Sequence, residues 1–268
     1  MITLDQVADS IYFQFRKRQY DSLQKRRIGV FHVTDYVKGC MRNAYYSHIQ
    51  TDAKKSMDTN TMSIFFSGES VHQLLDSAAP AGLGETPLAY NFIQDKKVEL
   101  VDAKGKITAE AKAYSVREWL DILIGEADSL YKIEVDGKSE LVLVDYKTWL
   151  SKGYKKKEAS DEHVFQVNEY RYLFSKTLGL DVKYGAVVYL DFADRLQKPL
   201  IFPFKLKPLE EIRVDLAEKH KQLVSTFETG KLPPRVKSWL CDGYCNFAER
   251  CVNEEELTKE ENKLQVTL

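Results

Sequence analysis

Gly125–Lys147 reads GEADSLYKIEVDGKSELVLVDYK, two strand-like runs around Asp136-Gly137. Asp-Gly is a hairpin signal, because a type I′ turn needs φ > 0 at both central residues. With those two residues as the loop, Val135 pairs with Lys138, and counting outward sets Asp128 opposite Asp145. Facing residues on one sheet face have Cβ atoms about 5 Å apart, where like charges repel. A bound divalent cation is the simplest reason for two carboxylates there, since hard cations such as Mg²⁺ take carboxylate oxygens. Lys147 lies two residues past Asp145, so strand alternation places it on the same face. Two acids, a divalent ion and an ammonium suit phosphodiester hydrolysis, in which the metal acidifies a water and the cation offsets developing charge. The competing reading is a surface hairpin with ordinary charges. The apolar run Leu141-Val142-Leu143-Val144 argues against it, because such a run marks a strand covered on both faces.

The 268 residues are 44% hydrophobic and 29% charged, the balance of a soluble globular protein with room for one large core. No apolar run reaches membrane-spanning length and no secretory leader is visible, so a cytoplasmic location without membrane association is expected. The net charge of −1 hides an uneven distribution. Arg16, Lys17, Arg18, Lys25, Arg26 and Arg27 make one basic segment, and Lys152, Lys155, Lys156 and Lys157 another. Glu254, Glu255, Glu256, Glu260 and Glu261 offset them near the C-terminus. Such basic runs are often merely solvated, but they can also hold a phosphate backbone.

Apolar spacing predicts a helix over 3–27 and, with Val33-Thr34 as its cap, a second over about 35–49. A polar loop spans 50–60, a helix 61–79 and a connector Pro80 to Pro87. Residues 90–124 read as short strands with turns, including Asp102 to Gly105 and Trp119 to Ile124. After the hairpin come a lysine-rich loop at 150–160, a helix over 161–178 capped by Ser160 and closed by Gly179, and a strand from Tyr184 to Phe192. Pro208 opens a last long helix that ends at Gly230. This order predicts a mixed α/β sheet with helices on both faces.

Gln166 and Tyr170 are four apart and share a helix face, from which they could hydrogen-bond a phosphate or Lys147; a half-polar helix face is the plainer alternative. His72 lies in an amphipathic helix, where a histidine is more often packed than a ligand. Cys241, Cys245 and Cys251 fall within eleven residues, and Cys40 lies far upstream. In a reducing compartment clustered cysteines read as metal ligands, for zinc or an iron–sulfur cluster, rather than as disulfides.

Taken together, TDYVKGCMRNAYY around Cys40, GESVH at 68–72, GEAD at 125–128, DYK at 145–147, QVNEY at 166–170 and the closing cysteines resemble the RecB-like branch of the PD-(D/E)XK nuclease superfamily. More narrowly they resemble its CRISPR-associated iron–sulfur exonucleases. The resemblance runs from about Thr34 to Cys251. It implies a restriction-endonuclease-like mixed central sheet flanked by helices. It also implies an iron–sulfur subdomain built from the N-terminal helices and the C-terminal cysteine segment. It implies metal ligands at His72, Asp128 and Asp145 with the carbonyl of Tyr146, for Mg²⁺ or Mn²⁺. It implies Lys147 as catalytic lysine, with Gln166 and Tyr170 contacting DNA or ordering the site. It implies a [4Fe–4S] cluster on Cys40, Cys241, Cys245 and Cys251. Glu126 departs from the family, where a basic residue is frequent, and the Cys241–Cys245 spacing is longer than usual.

The expected division is an N-terminal part of the cluster subdomain at 1–60, a nuclease core at 61–207, the last helix and cysteines at 208–251, and an acidic tail at 252–268. The expected function is trimming of single-stranded DNA ends, 5′ to 3′, before CRISPR spacer integration. Single-stranded DNA, CRISPR integrase proteins and a second copy of the chain are the expected partners. A stand-alone nuclease of repair or viral origin, a non-catalytic DNA-binding module and a zinc-stabilised nuclease remain the alternatives.

Overall fold

The computed structural model describes residues 31–37, 40–49, 68, 70–72, 75, 87–101, 107–149, 156–192, 199–237, 241, 245 and 247–254. The helix at 3–27, the loop at 50–60, most of the helix at 61–79, the Asp102–Gly105 turn and most of the lysine-rich loop and acidic tail lie outside them.

The described strands are β1 (Phe31–His32), β2 (Pro87–Asn91), β3 (Lys96–Lys97), β4 (Ile122–Glu126), β5 (Ser129–Val135), β6 (Lys138–Trp149), β7 (Tyr184–Asp191) and β8 (Leu200–Lys205). The helices are α1 (Val33–Val37), α2 (Met41–Ile49), α3 (Ala109–Ala113), α4 (Val116–Leu120), α5 (Asp161–Leu178), α6 (Leu209–Thr229) and α7 (Ala248–Asn253).

The fold is mixed α/β, but the expected single sheet is two. One has the order β1-β4-β2-β3 and the other β5-β6-β7-β8. Each is mixed, with β1 parallel to β4 and β6 parallel to β7. The chain leaves the first sheet after Glu126 and enters the second at Ser129, paired with Val144. Asp128 makes that break. Its Oδ2 accepts the backbone N–H of Tyr146 at 2.6 Å, taking over a bond that a strand carbonyl would otherwise make.

The β5–β6 hairpin forms as its turn chemistry requires. Val135 pairs with Lys138, and Asp136 and Gly137 have φ of 51° and 73°. Both lie in the left-handed region that Asp-Gly tolerates. α5 closes on Gly179 at φ 68° and α6 on Gly230 at φ 72°. Ser160 stands at the N-cap of α5, but its side chain makes no cap bond.

Two stretches differ from expectation. The helix over 35–49 is two, α1 and α2, and Thr34 lies inside the first. Asp35 Oδ2 accepts the N–H of His32 at 3.0 Å, so a side chain just inside the helix caps the entry in Thr34's place. Residues 109–120 are helical, not strands, so Trp119 and Leu120 belong to α4. Each helix is short and capped: Thr108 Oγ1 takes Ala111 N–H, and Ser115 with Glu118 forms a reciprocal capping box.

α5 organises the interior. It packs on β2, β4, β6 and β7 and is flanked by α1 and α6. Phe31, Tyr36, Leu123, Leu143, Val167, Leu173, Val187 and Leu216 fill the core around it. Gly125 permits the close approach: a Cβ there would stand 2.7 Å from Leu173 Cδ1 and 3.1 Å from Tyr170 Cε1. The glycine that opens GEAD therefore sets how near α5, and Tyr170 on it, comes to the sheet.

Candidate active site

β6 delivers Asp145 and Lys147 to one face, and the chain after β4 delivers Asp128 beside them. Asp145 is fully buried. Lys147 Nζ lies 2.9 Å from its Oδ1 and 2.8 Å from its Oδ2. Only the Oδ1 contact is a well-directed hydrogen bond; Oδ2 has no such partner. Burial pushes the Asp145 carboxyl up to about 7 against the pull of Lys147. Burial also works against the Lys147 ammonium, but Asp145 and Asp128 outweigh it and raise its pKa. Lys147 thus offsets only part of the solvation that Asp145 loses, whereas the two carboxylates more than offset what Lys147 loses.

His72, in a helical turn over 70–72, sets Nδ1 3.4 Å from Asp128 Oδ1. Burial opposes its charged form, but the bond to Asp128 and that carboxylate's charge raise its pKa overall. Tyr146 sends its side chain to the opposite face, where its hydroxyl meets that of Tyr131 at 2.6 Å. Gln166 and Tyr170 do share a buried face of α5, but they bond to each other, the amide donating to the phenol at 2.8 Å. Burial first, and then Asp145 and Asp128, raise the Tyr170 phenol well above its ordinary value, so it stays protonated. Glu126 is exposed at the end of β4.

The structure thus brings His72, Asp128, Asp145, Lys147, Gln166 and Tyr170 to one place. Among the described residues, no three His, Cys, Asp or Glu side chains already stand as a metal cage. The Lys147 ammonium is paired with the Asp145 carboxylate. The donor set itself, carboxylate oxygens and one imidazole beside a buried Oδ2 without a directed bond, is the chemistry that Mg²⁺ and Mn²⁺ take.

Next to Lys147 stand residues with no motif signature. Tyr189 on β7 is the register partner of Lys147. Its hydroxyl lies 2.7 Å from His163 Nδ1 and accepts the Ser160 N–H at 3.0 Å. Lys156 Nζ sits 4.6 Å above the Tyr189 ring. Burial, with the charges of Lys147 and Lys156, lowers the His163 pKa to about 4. The available signal was spacing: His163 is three before Gln166 and seven before Tyr170, on the same helical stripe. Glu169, also in QVNEY, is fully buried with neither carboxylate oxygen hydrogen-bonded, and burial raises its pKa well above the usual carboxylate range despite Lys219.

At the other end of the molecule, α2 meets the C-terminal cysteine segment. Buried Arg42 donates to the carbonyls of Pro233, Cys251 and Glu254. Tyr46 packs on Phe247 at 5.4 Å, and Asn43 Nδ2 donates to Cys245 Sγ at 3.2 Å. Cys40 is buried, and burial raises its thiol pKa. Cys251, Cys245 and Cys241 add to the rise as like charges. Among the described residues, which include all four cysteines, the thiols do not stand together as a ready metal site.

A family model of the PD-(D/E)XK nuclease superfamily matches residues 69–252, more than half of the chain and all of the site on β6 and α5. No curated protein matches the chain.

Proposed function

The chain belongs to the PD-(D/E)XK nuclease superfamily; from that membership, and from the resemblance of its motifs to the CRISPR-associated iron–sulfur exonucleases, we propose a metal-dependent DNA exonuclease that trims single-stranded ends, 5′ to 3′, in CRISPR spacer acquisition. The observation that carries the reading is buried Asp145 held 2.8 Å from the Lys147 ammonium, with Asp128 beside them and the Gln166–Tyr170 pair above.

His72, Asp128, Asp145 and the carbonyl of Tyr146 would hold Mg²⁺ or Mn²⁺. Bound there, the ion would supply Lewis acidity and an acidified water. The chain's own residues do the rest. Asp128 is fixed by the Tyr146 N–H, so its Oδ1 stays turned toward His72. Lys147, kept charged by two carboxylates, is placed to orient the attacking water and offset charge developing on the phosphate. Tyr170, kept protonated and bonded to Gln166, forms an uncharged wall that does not repel a phosphate.

Cys40, Cys241, Cys245 and Cys251 would hold a [4Fe–4S] cluster that ties α2 to the C-terminal segment. Arg42 already draws those two parts together. CRISPR integrase proteins and a second copy of the chain are the proposed partners.

The test is cleavage of end-labelled single-stranded DNA with Mn²⁺ by the wild type, Asp145→Ala and Lys147→Ala. Each substitution should lower the rate about 10²- to 10⁴-fold with the fold intact. Equal activity in all three would falsify the assignment. Iron and sulfide analysis of anaerobically purified protein tests the cluster, and stoichiometric zinc in its place would replace that part of the reading.

A further inference from the structure

Tyr189 stands beside the catalytic lysine as its strand partner, and its hydroxyl is the centre of a directed chain of hydrogen bonds. Lys156 Nζ donates to Ser160 Oγ at 3.2 Å. Ser160 Oγ lies 3.2 Å from Tyr189 Oη, and the Ser160 N–H donates to that same oxygen at 3.0 Å. An ammonium can only donate, so Ser160 Oγ accepts from Lys156 and has its own hydrogen to give to Tyr189. Both lone pairs of the phenol are then filled, and its one hydrogen goes to the remaining neighbour, His163 Nδ1 at 2.7 Å. In this arrangement Nδ1 accepts and Nε2 carries the hydrogen; the opposite one, with Tyr189 donating to Ser160 Oγ and Nδ1–H to Tyr189, is what the glutamine and asparagine variants below distinguish. Burial and the two flanking ammonium groups keep the ring neutral, consistent with that assignment.

Among the described residues, Nε2 has no hydrogen-bond partner, and the ring is half-buried. His163 lies on the stripe of α5 that carries Gln166 and Tyr170, one turn nearer the helix start. It rests on Tyr189, ring centroids 5.6 Å apart, and feels the Lys147 charge more strongly than that of Lys156. A neutral ring held this firmly, only half-buried and next to the catalytic lysine, is suited to meet an anion.

We propose that His163 is a further substrate-contacting residue, its Nε2–H donating to a phosphate oxygen of the strand next to the bond being cut, with Tyr189 as the positioning residue that holds its tautomer. The inference rests on the nuclease reading above. A contact to a neighbouring phosphate is made in the ground state and the transition state alike, so its loss raises KM and leaves kcat nearly unchanged.

The test uses the full-length protein with Mn²⁺ and end-labelled single-stranded DNA, comparing wild type with His163→Ala, His163→Gln and His163→Asn. Glutamine places an amide N–H near the position of Nε2, whereas asparagine mimics Nδ1, which faces Tyr189. His163→Ala should raise KM about tenfold, the effect of one hydrogen bond to a charged group. His163→Gln should return KM to within about threefold of wild type, and His163→Asn should not. An unchanged KM in His163→Ala, rescue by asparagine, or failure of glutamine to rescue each overturns the proposal. Wild-type protein that cuts no DNA would instead overturn the nuclease reading, and this inference with it; wild-type cleavage with any other variant pattern sinks the inference alone.

Discussion

Asp145 shows what burying one carboxylate costs. A carboxylate with no exposed surface is held by a single ammonium, and its Oδ2 lacks a directed hydrogen bond. Replacing both members of such a buried pair by apolar side chains often costs little, whereas removing Asp145 alone leaves the Lys147 ammonium uncompensated. His163 makes the same point through pH. Its folded pKa of about 4 lies below the ordinary 6.5. The unfolded chain therefore takes up this proton first as pH falls. The stability that neutral His163 contributes is full above pH 6.5 and is lost as pH falls toward about 4. That interval is worth up to about 3 kcal/mol, and screening at a half-buried ring reduces it to about 2 kcal/mol. Urea unfolding of wild type and His163→Gln at pH 7.5, 5.5 and 4.5 checks this. The glutamine variant should lose about 2 kcal/mol less over that range, and parallel losses would show that other groups govern the acid limb.

At the scale of elements, a glycine and a turn set the site's geometry. β4 carries Gly125 so that α5 can come down on the sheet and bring Tyr170 within reach of Asp145. Gly125→Ala forces Leu173, Val33 and Tyr170 aside, because its Cβ would meet their atoms at 2.7 to 3.1 Å. Such overpacking should cost about 1–3 kcal/mol and lower activity by displacing Tyr170. A thermal melt that matches wild type would mean α5 can slide without penalty. In the β5–β6 turn, Gly137 has φ of 73°. Gly137→Ala should cost about 1 kcal/mol with cleavage unaffected, since the turn lies at the far end of β6 from Asp145. Loss of cleavage there would show that hairpin register reaches the site.

Across the whole molecule, residues far apart in the chain are drawn together by backbone carbonyls as much as by apolar burial. Arg42 on α2 spends its guanidinium on Pro233, Cys251 and Glu254, some two hundred residues away. Arg42→Met keeps the stem's volume but leaves those carbonyls without their donor. Unfolding should cost about 2–4 kcal/mol, and limited proteolysis should cut first within the cysteine segment. Proteolysis no faster than wild type would mean Tyr46 and Phe247 alone hold the segment in place.

The amino-acid sequence by itself determined the hairpin register, the convergence of Asp128, Asp145 and Lys147, and the bounds of α5 and α6. These follow from local rules: Asp-Gly in a tight turn, strand alternation, and glycine past a helix end. The two helices at 109–120 carry an equally local signal, the Ser115–Glu118 capping box, which the strand reading of 90–124 does not take into account. The split into two sheets was decided only in three dimensions, where the side chain of Asp128 took the Tyr146 N–H. So was the place of His163, whose meaning depends on Tyr189, twenty-six residues on. A side chain's partners across the chain are set by how strands and helices pack. Periodicity reports which face a residue occupies, and only the packed structure decides what that face meets.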